Sequence, residues 1–313
     1  MNALYIIFGA VVILMLLTLL AAFITYRMAF YRNPKRHICD PYYNIDKGNY
    51  AKYESVSRGL IDNVLTLPCE EITTLSRDGL KLSGRYYETR AGAPLVIQFH
   101  GYKSTPMKDL SGAGVMSIEF GYNVIMVDQR AHGKSEGRTI TFGHREKLDC
   151  LEWIRYAIER FGNDVKIAIQ GISMGAATVL LAAGEDNLPN NLKGVMADCP
   201  FDLAREVLKS EIKKMGLPSW FFYPVLRLGA IIFGRFDPNK VTVSEGVRKA
   251  NVPILLIHGT ADGLVPYYMS ENIAKTGKCQ FETYEGADHG ISYLIDTPRY
   301  KKCAKEFLEK IFE

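Results

Sequence analysis

The sequence predicts an α/β protein: a mostly parallel eight-stranded sheet with helices on both faces and a helical cap, preceded by one transmembrane helix. Three observations lead there. An uncharged apolar run opens the chain, short apolar stretches then recur with helical stretches between them, and one long insertion interrupts that alternation. At 313 residues, 48% of them apolar, the chain can pack one large α/β domain plus an appendage, which excludes a wholly disordered chain.

Residues 1–26 carry no charged side chain and include Ile6, Ile7, Val11, Val12, Ile13, Leu14, Leu16 and Leu17. A bilayer needs about 20 such residues. A cleaved signal peptide would show a positive n-region and an apolar stretch of about 7 to 15 residues, and neither is present. Residues 1–26 are therefore expected to be a membrane anchor. Arg27, Arg32, Lys35 and Arg36 follow the run, and the positive-inside tendency then places the large domain in the cytoplasm. The net charge of +4 is small and no basic stripe with interleaved aromatics follows, so no nucleic-acid partner is expected. Six cysteines (Cys39, Cys69, Cys150, Cys199, Cys279, Cys303) lie without a C-x-x-C pair or His-flanked metal spacing. They read as free thiols of a reducing compartment, with no metal site.

Residues 27–67, rich in Tyr, Lys, Arg and Asn, read as a juxtamembrane linker with one short helix. The sheet is expected to open with an antiparallel hairpin, 71–76 and 80–88, turned at Asp78-Gly79. Further strands are expected at 95–99, 124–127, 165–170, 194–197, 253–257 and 280–284, with helices between them, notably 145–161 and 174–183.

The pattern G-x-S-x-G occurs twice, around Ser135 and around Ser173, and context separates them. A nucleophile elbow needs a strand running into a sharp turn and then a helix, because that turn lifts the hydroxyl above the sheet edge. Ser173 follows the run 165–170 and precedes Ala176, Ala177, Val179, Leu180 and Leu181. Ser135 stands away from its preceding strand, and Arg138-Thr139-Ile140-Thr141 after it is a poor helix start. Gly133-Lys134-Ser135 also hints at a phosphate loop, but Asp128 stands where that loop needs glycine, so no nucleotide is expected.

A serine hydroxyl needs a base, and the base needs a carboxylate to hold its tautomer. At such an elbow the partners follow in the order Ser, Asp, His. His289 lies in the loop past the last strand, and Asp262 lies in the loop after the penultimate one. Asp198, Asp202 and Asp288 are the rival acids, and His258 and His100 read as structural. The oxyanion donors are expected to be the backbone N–H groups of Met174 and, in the loop after the third strand, Tyr102.

Over residues 68–313 the sequence resembles the α/β-hydrolase superfamily. The resemblance rests on Phe99-His100-Gly101-Tyr102, the stretch 128–137, Gly171-Ile172-Ser173-Met174-Gly175, the stretch 258–266 and Asp288-His289-Gly290. It is nearest to the bacterial, N-terminally anchored branch described as esterase-like or prolyl/acylaminoacyl-peptidase-like. The resemblance implies that 128–137 is a structural loop. It also implies that residues 199–252, longer than an ordinary crossing of such a sheet, contain a cap at about 200–250. Trp220, Phe221 and Phe222 in that insertion are candidate substrate-binding residues beside a hydrophobic acyl group, the other reading being that the apolar residues of the insertion pack the cap onto the core.

With serine rather than aspartate at the elbow, acyl transfer is implied, and no cofactor or metal is required. The expected function is hydrolysis of a carboxylic ester or thioester of a hydrophobic acyl substrate, either a small molecule or a lipid. A serine peptidase is the alternative, and a non-catalytic ligand-binding homologue a third reading.

Overall fold

A computed structural model describes residues 2–32 and 40–313; Lys35, Arg36 and Cys39 lie outside the described residues. Eight strands form one sheet: β1 Glu70–Leu75, β2 Lys81–Tyr87, β3 Leu95–Phe99, β4 Asn123–Asp128, β5 Ile167–Ile172, β6 Leu192–Asp198, β7 Ile254–Gly259 and β8 Cys279–Tyr284. Their spatial order is β1-β2-β4-β3-β5-β6-β7-β8. β1 pairs with β2, and β2 with β4, antiparallel; every pairing from β4 onward across the sheet is parallel. Strands β3, β4, β5 and β7 are buried along their whole length, as strands covered by helices on both faces must be. The carboxyl ends of β3, β5, β7 and β8 share one edge of the sheet, and the loops that leave them meet there.

Between β6 and β7 stand helices Ala204–Lys214, Ser219–Ile232 and Val243–Lys249. The middle one carries Pro224 inside it and buries Tyr223, Leu226, Gly229 and Ala230. The region before the sheet holds a short 3-10 helix, Gly48–Tyr53, and an α-helix, Glu54–Thr66.

The N-terminal helix runs Asn2–Ala29, and Ala3–Ala29 is long and apolar enough to cross a membrane. From Leu4 to Leu17 its large apolar side chains are exposed, apart from the half-buried Val12. Its last turns are different. Ala22, Tyr26 and the following Phe30 are buried, and Gly229 of the middle cap helix lies against Ala22 and Tyr26. A Cβ on Gly229 would sit 2.2 Å from the Ala22 carbonyl oxygen, so the contact requires glycine. Phe23 packs edge-on against Phe233 at 5.2 Å, and Phe30 against Phe236 at 5.1 Å.

Hydrogen bonds fix the end of this helix to residues 133–140. The Tyr26 hydroxyl meets Thr139 Oγ1 at 2.7 Å, Ile140 N–H donates to the Phe30 carbonyl at 2.8 Å, and the Arg32 N–H donates to the Arg138 carbonyl at 2.8 Å. The Arg32 guanidinium donates to the carbonyls of Ser135 and Gly133 at 2.7 and 2.6 Å. The helix thus leaves its exposed stretch and becomes part of the packed domain.

Candidate active site

Ser173 follows β5 directly and caps the helix Met174–Ala183, with φ +56° and ψ −118°. A non-glycine residue in that conformation is strained and persists because its surroundings hold it. The two flanking glycines make it achievable. A Cβ on Gly171 would lie 2.2 Å from the Gly175 carbonyl carbon, and one on Gly175 would lie 2.0 Å from the Phe99 carbonyl oxygen. The Ser173 N–H donates to the Asp198 carbonyl at 2.8 Å, fixing the turn from below.

The loop after β8 brings His289 Nε2 to 2.8 Å from Ser173 Oγ. Its Nδ1 lies 2.7 Å from Asp262 Oδ2, in the loop after β7. Asp262 Oδ1 accepts the N–H groups of Leu264 and Val265 at 2.9 and 2.7 Å, and His258 Nε2 lies 3.1 Å from Oδ2. Burial alone would raise the Asp262 pKa, but the hydrogen bonds from His258 and His289 outweigh it and hold the carboxyl well below the usual range. An ionised Asp262 accepts a proton-bearing Nδ1, and His289 Nε2 is left as the acceptor facing the serine.

Of the rival acids, Asp202 accepts the Ser244 N–H, and Asp288 accepts N–H groups of Gly263 and of His289 itself. Asp198 is buried, lies beside Ser292 at 3.3 Å, and has its pKa raised to about 6 by burial. None of the three has a hydrogen bond to the His289 ring among the described residues. His258 is fully buried, with Nδ1 on the Ser270 hydroxyl at 2.6 Å. Cys199, Asp262 and His289 place donor atoms within 4.8 Å of one another. Both His289 nitrogens are nevertheless engaged in the Ser173 and Asp262 contacts already described.

The loop after β3 lies against the serine: a Cβ on Gly101 would sit 3.4 Å from Ser173 Cβ. Gly101 N–H is committed to Asp109 Oδ2 at 2.7 Å and Lys103 N–H to His132 Nε2 at 3.0 Å. The Tyr102 N–H lies between these two occupied donors, and the Met174 N–H opens the helix after Ser173. His100 shapes this loop. Its Nδ1 bonds the Gly101 carbonyl at 2.8 Å and its Nε2 accepts the Gln129 N–H at 3.1 Å. Burial pushes the pKa of His100 down to about 4 and that of His132 to about 3, so both are neutral near neutral pH.

Ser135, centre of the second G-x-S-x-G, is fully buried. Its hydroxyl donates to the Asp128 carbonyl and accepts the Ser83 N–H at 2.8 Å, which fastens this loop to β2 and β4.

A family model described as alpha/beta hydrolase fold matches residues 102–227. The chain is an α/β-hydrolase-fold protein. The Pyrococcus furiosus esterase Pf2001 superposes on this hydrolase fold with a TM-score of 0.65 at 23% identity, over 79% of this chain and 93% of that one. Among relatives in sequence, the uncharacterized protein YqkD of Bacillus subtilis is 28% identical over 236 residues, 74% of this chain and 77% of its own length. The thiohydrolase aneE of Aspergillus aculeatus is 28% identical over 133 residues, 42% of this chain and 41% of its own length.

Beside Ser173 the α/β-hydrolase domain opens into a cavity of about 690 Å³. Ser173, Met174 and Tyr102 line one end; Phe221, Phe222, Val225 and Leu226 of the cap line another side. Trp220 is not part of that lining. It is 78% exposed and packs on Phe221 at 5.7 Å. Successive helical residues point about 100° apart, so Trp220, Phe221 and Phe222 cannot all face one cavity.

Two contacts to the histidine loop carry no sequence signal. The Asn49 side-chain amide donates to the His289 carbonyl, and the Tyr50 hydroxyl donates to the Gly290 carbonyl at 3.1 Å. They are separated from the loop by 240 residues of chain and belong to no motif.

Proposed function

We propose that this chain is a membrane-tethered serine hydrolase that cleaves carboxylic ester or thioester bonds of hydrophobic acyl substrates. The observation that carries the reading is the continuous contact from Ser173 through His289 to Asp262, set at the mouth of a largely apolar cavity. Ser173 Oγ attacks the acyl carbonyl carbon while its proton passes to His289 Nε2, and Asp262 stabilises the imidazolium. The resulting oxyanion is held by the N–H groups of Tyr102 and Met174. Collapse expels the alcohol or thiol, which takes the proton from His289 and leaves an acyl-Ser173 ester. Water then attacks that ester, giving its proton to His289, and release of the carboxylic acid restores the serine.

The esterase and thiohydrolase neighbours support the bond class, and the apolar lining of the cavity supports a hydrocarbon acyl group. The N-terminal helix supports tethering, and the basic residues after it favour a cytoplasmic catalytic domain. The test is covalent labelling of the full chain with a fluorophosphonate, followed by a panel of ester, thioester and aminoacyl-amide substrates. Labelling at Ser173 with ester or thioester turnover is the expected result. Turnover of the amide alone would favour a peptidase, and absence of labelling would refute the hydrolase reading.

A further inference from the structure

The apolar cavity has one wall that does not belong to the hydrolase domain or to its cap. Leu17, Ala21, Ile24 and Met28 of the N-terminal helix line it, at spacings of four, three and four residues, which is a single helical stripe. The adjacent stripe, Ala22 and Tyr26, is the one buried against the domain. One face of the helix is therefore docked, and the next face, with Leu17, Ile24 and Met28 still 58%, 48% and 58% exposed, borders the open side of the cavity beside Ser173. We propose that the N-terminal helix is a structural wall of the substrate pocket, and that long-chain acyl esters enter it sideways from the bilayer. The proposal rests on the serine-hydrolase and membrane-tether reading above.

Depth favours this route. Arg27 is the first charged residue of the chain, and its guanidinium stacks over the Tyr31 ring at 3.7 Å. Leu17 stands ten residues earlier on the same helix, about 15 Å further along it at about 1.5 Å per residue. With Arg27 at the lipid headgroups, Leu17 reaches about half of the roughly 30 Å hydrocarbon thickness. The far end of the cavity then lies near the bilayer midplane and its other end lies at Ser173. An acyl tail could pass from lipid to pocket without crossing water.

The chemistry of the wall agrees. Thr18 and Thr25, which also line the cavity, turn their hydroxyls back to their own helix, on the Leu14 and Ala22 carbonyls at 2.8 and 3.0 Å. Neither presents an unsatisfied donor to a hydrocarbon chain. Glu211, a charged residue of the lining, is paired with Lys214 at 2.7 Å, and Lys214 reaches the Gly263 carbonyl at 2.9 Å. The cap helix beside this wall exposes Trp220, Phe221, Ile231 and Ile232, apolar groups suited to lying in the lipid interface. The attachment of the helix end to residues 133–140 keeps the wall in place.

The experiment uses the full chain in phosphatidylcholine vesicles and a hexadecyl fluorophosphonate carrying a diazirine at the end of its chain. After Ser173 is labelled and the sample illuminated, the expected cross-link falls within residues 17–28. Cross-links confined to residues 217–226 or to lipid, with Ser173 labelled, would overturn the wall while leaving the hydrolase reading intact. Failure to label Ser173 would overturn both. A second arm compares labelling rates for hexadecyl and ethyl fluorophosphonates, a ratio that cancels any loss of folded protein. Ala21→Trp should lower that ratio about tenfold, the worth of roughly two buried methylenes. Ile13→Trp, on the exposed part of the helix, should leave it unchanged. An unaltered ratio in Ala21→Trp would refute the proposal.

Discussion

Replacing Asp262 by Asn keeps the shape of the side chain and exchanges one carboxylate oxygen for an NH2 group. The surroundings dictate which one. Oδ1 receives the Leu264 and Val265 N–H groups, so the amide oxygen must take that side; the reverse would set NH2 against two donors. The NH2 then faces His289 Nδ1, now 2.7 Å from Oδ2, and that nitrogen has to become an acceptor. The imidazole proton moves to Nε2, which stands 2.8 Å from Ser173 Oγ and can no longer take the serine proton. A wrong tautomer of this kind lowers kcat by about 10⁴, equivalent to about 5.5 kcal/mol at roughly 1.36 kcal/mol per decade. Losing the charge-assisted bonds costs the fold about 1.5–3 kcal/mol as well, so thermal melting must accompany the kinetics. The assay is turnover of a p-nitrophenyl ester and the rate of fluorophosphonate labelling by the folded variant. A kcat within tenfold of the parent would refute the tautomer argument. A crippling Asp198→Asn beside a mild Asp262→Asn would move the acid to Asp198.

Ser173→Ala is expected to abolish labelling and turnover without loss of folding, whereas Ser135→Ala should lower stability by about 1–3 kcal/mol with labelling retained, because it strands the buried Ser83 N–H. Loss of labelling in folded Ser135→Ala alone would reverse the two roles. Asn49→Ala releases the His289 carbonyl, and the looser imidazole should lose about tenfold or more in kcat with a smaller change in KM. Unchanged kcat would show that the loop is held without it. Acid should weaken the fold through His100 and His132. Burial depresses both pKa values, so between about pH 6.5 and 4 the unfolded chain carries protons that the folded chain refuses. Stability then falls by about 1.4 kcal/mol per imidazole for each pH unit below about 6.5. Asp149 and Asp198, raised to about 6, take up protons in the folded chain and offset this below about pH 6, so the check is the NMR titration of the two rings in the folded protein: midpoints at about 6 or above would contradict it.

How much of the site could be read beforehand depends on how local each signal is. The elbow was legible because Gly171, Ser173 and Gly175 sit within five residues between a β-branched run and an alanine-rich helix. Its strand boundary was less so. The run read as 165–170 is observed as Ile167–Ile172, since Gly171 is a poor strand former on propensity yet stays in the ladder opposite Ala197 and Phe99. The meeting of Asp262 and His289 with Ser173 followed from strand order, because the loops after β5, β7 and β8 leave the same sheet edge. Asn49 and Tyr50 offered no such handle; their contacts join an early helical segment to a loop near the other end of the chain. For Trp220, Phe221 and Phe222, composition announced an apolar cap, but the helical phase that separates the exposed Trp220 from the cavity-lining phenylalanines comes only with the fold.

The N-terminal helix hid most. A uniformly apolar helix has no polar face to mark where it docks, so residues 1–26 read as an anchor of a single kind. In the fold the helix divides into an exposed stretch before Leu17, a docked stripe at Ala22 and Tyr26, and a half-exposed stripe at Leu17, Ala21, Ile24 and Met28 that borders the cavity. The docked stripe matters for what this helix is. Each large apolar side chain buried there contributes about 1.5–3 kcal/mol, and Tyr26 and Phe30 are both buried against the domain, with Arg32 adding two carbonyl contacts. Loss of this helix would leave Phe233, Phe236 and Gly229 facing an empty groove and would open the cavity beside Ser173 along one side. In the tethered reading proposed above, these contacts hold Ser173 at a fixed orientation to the surface that the exposed stretch enters.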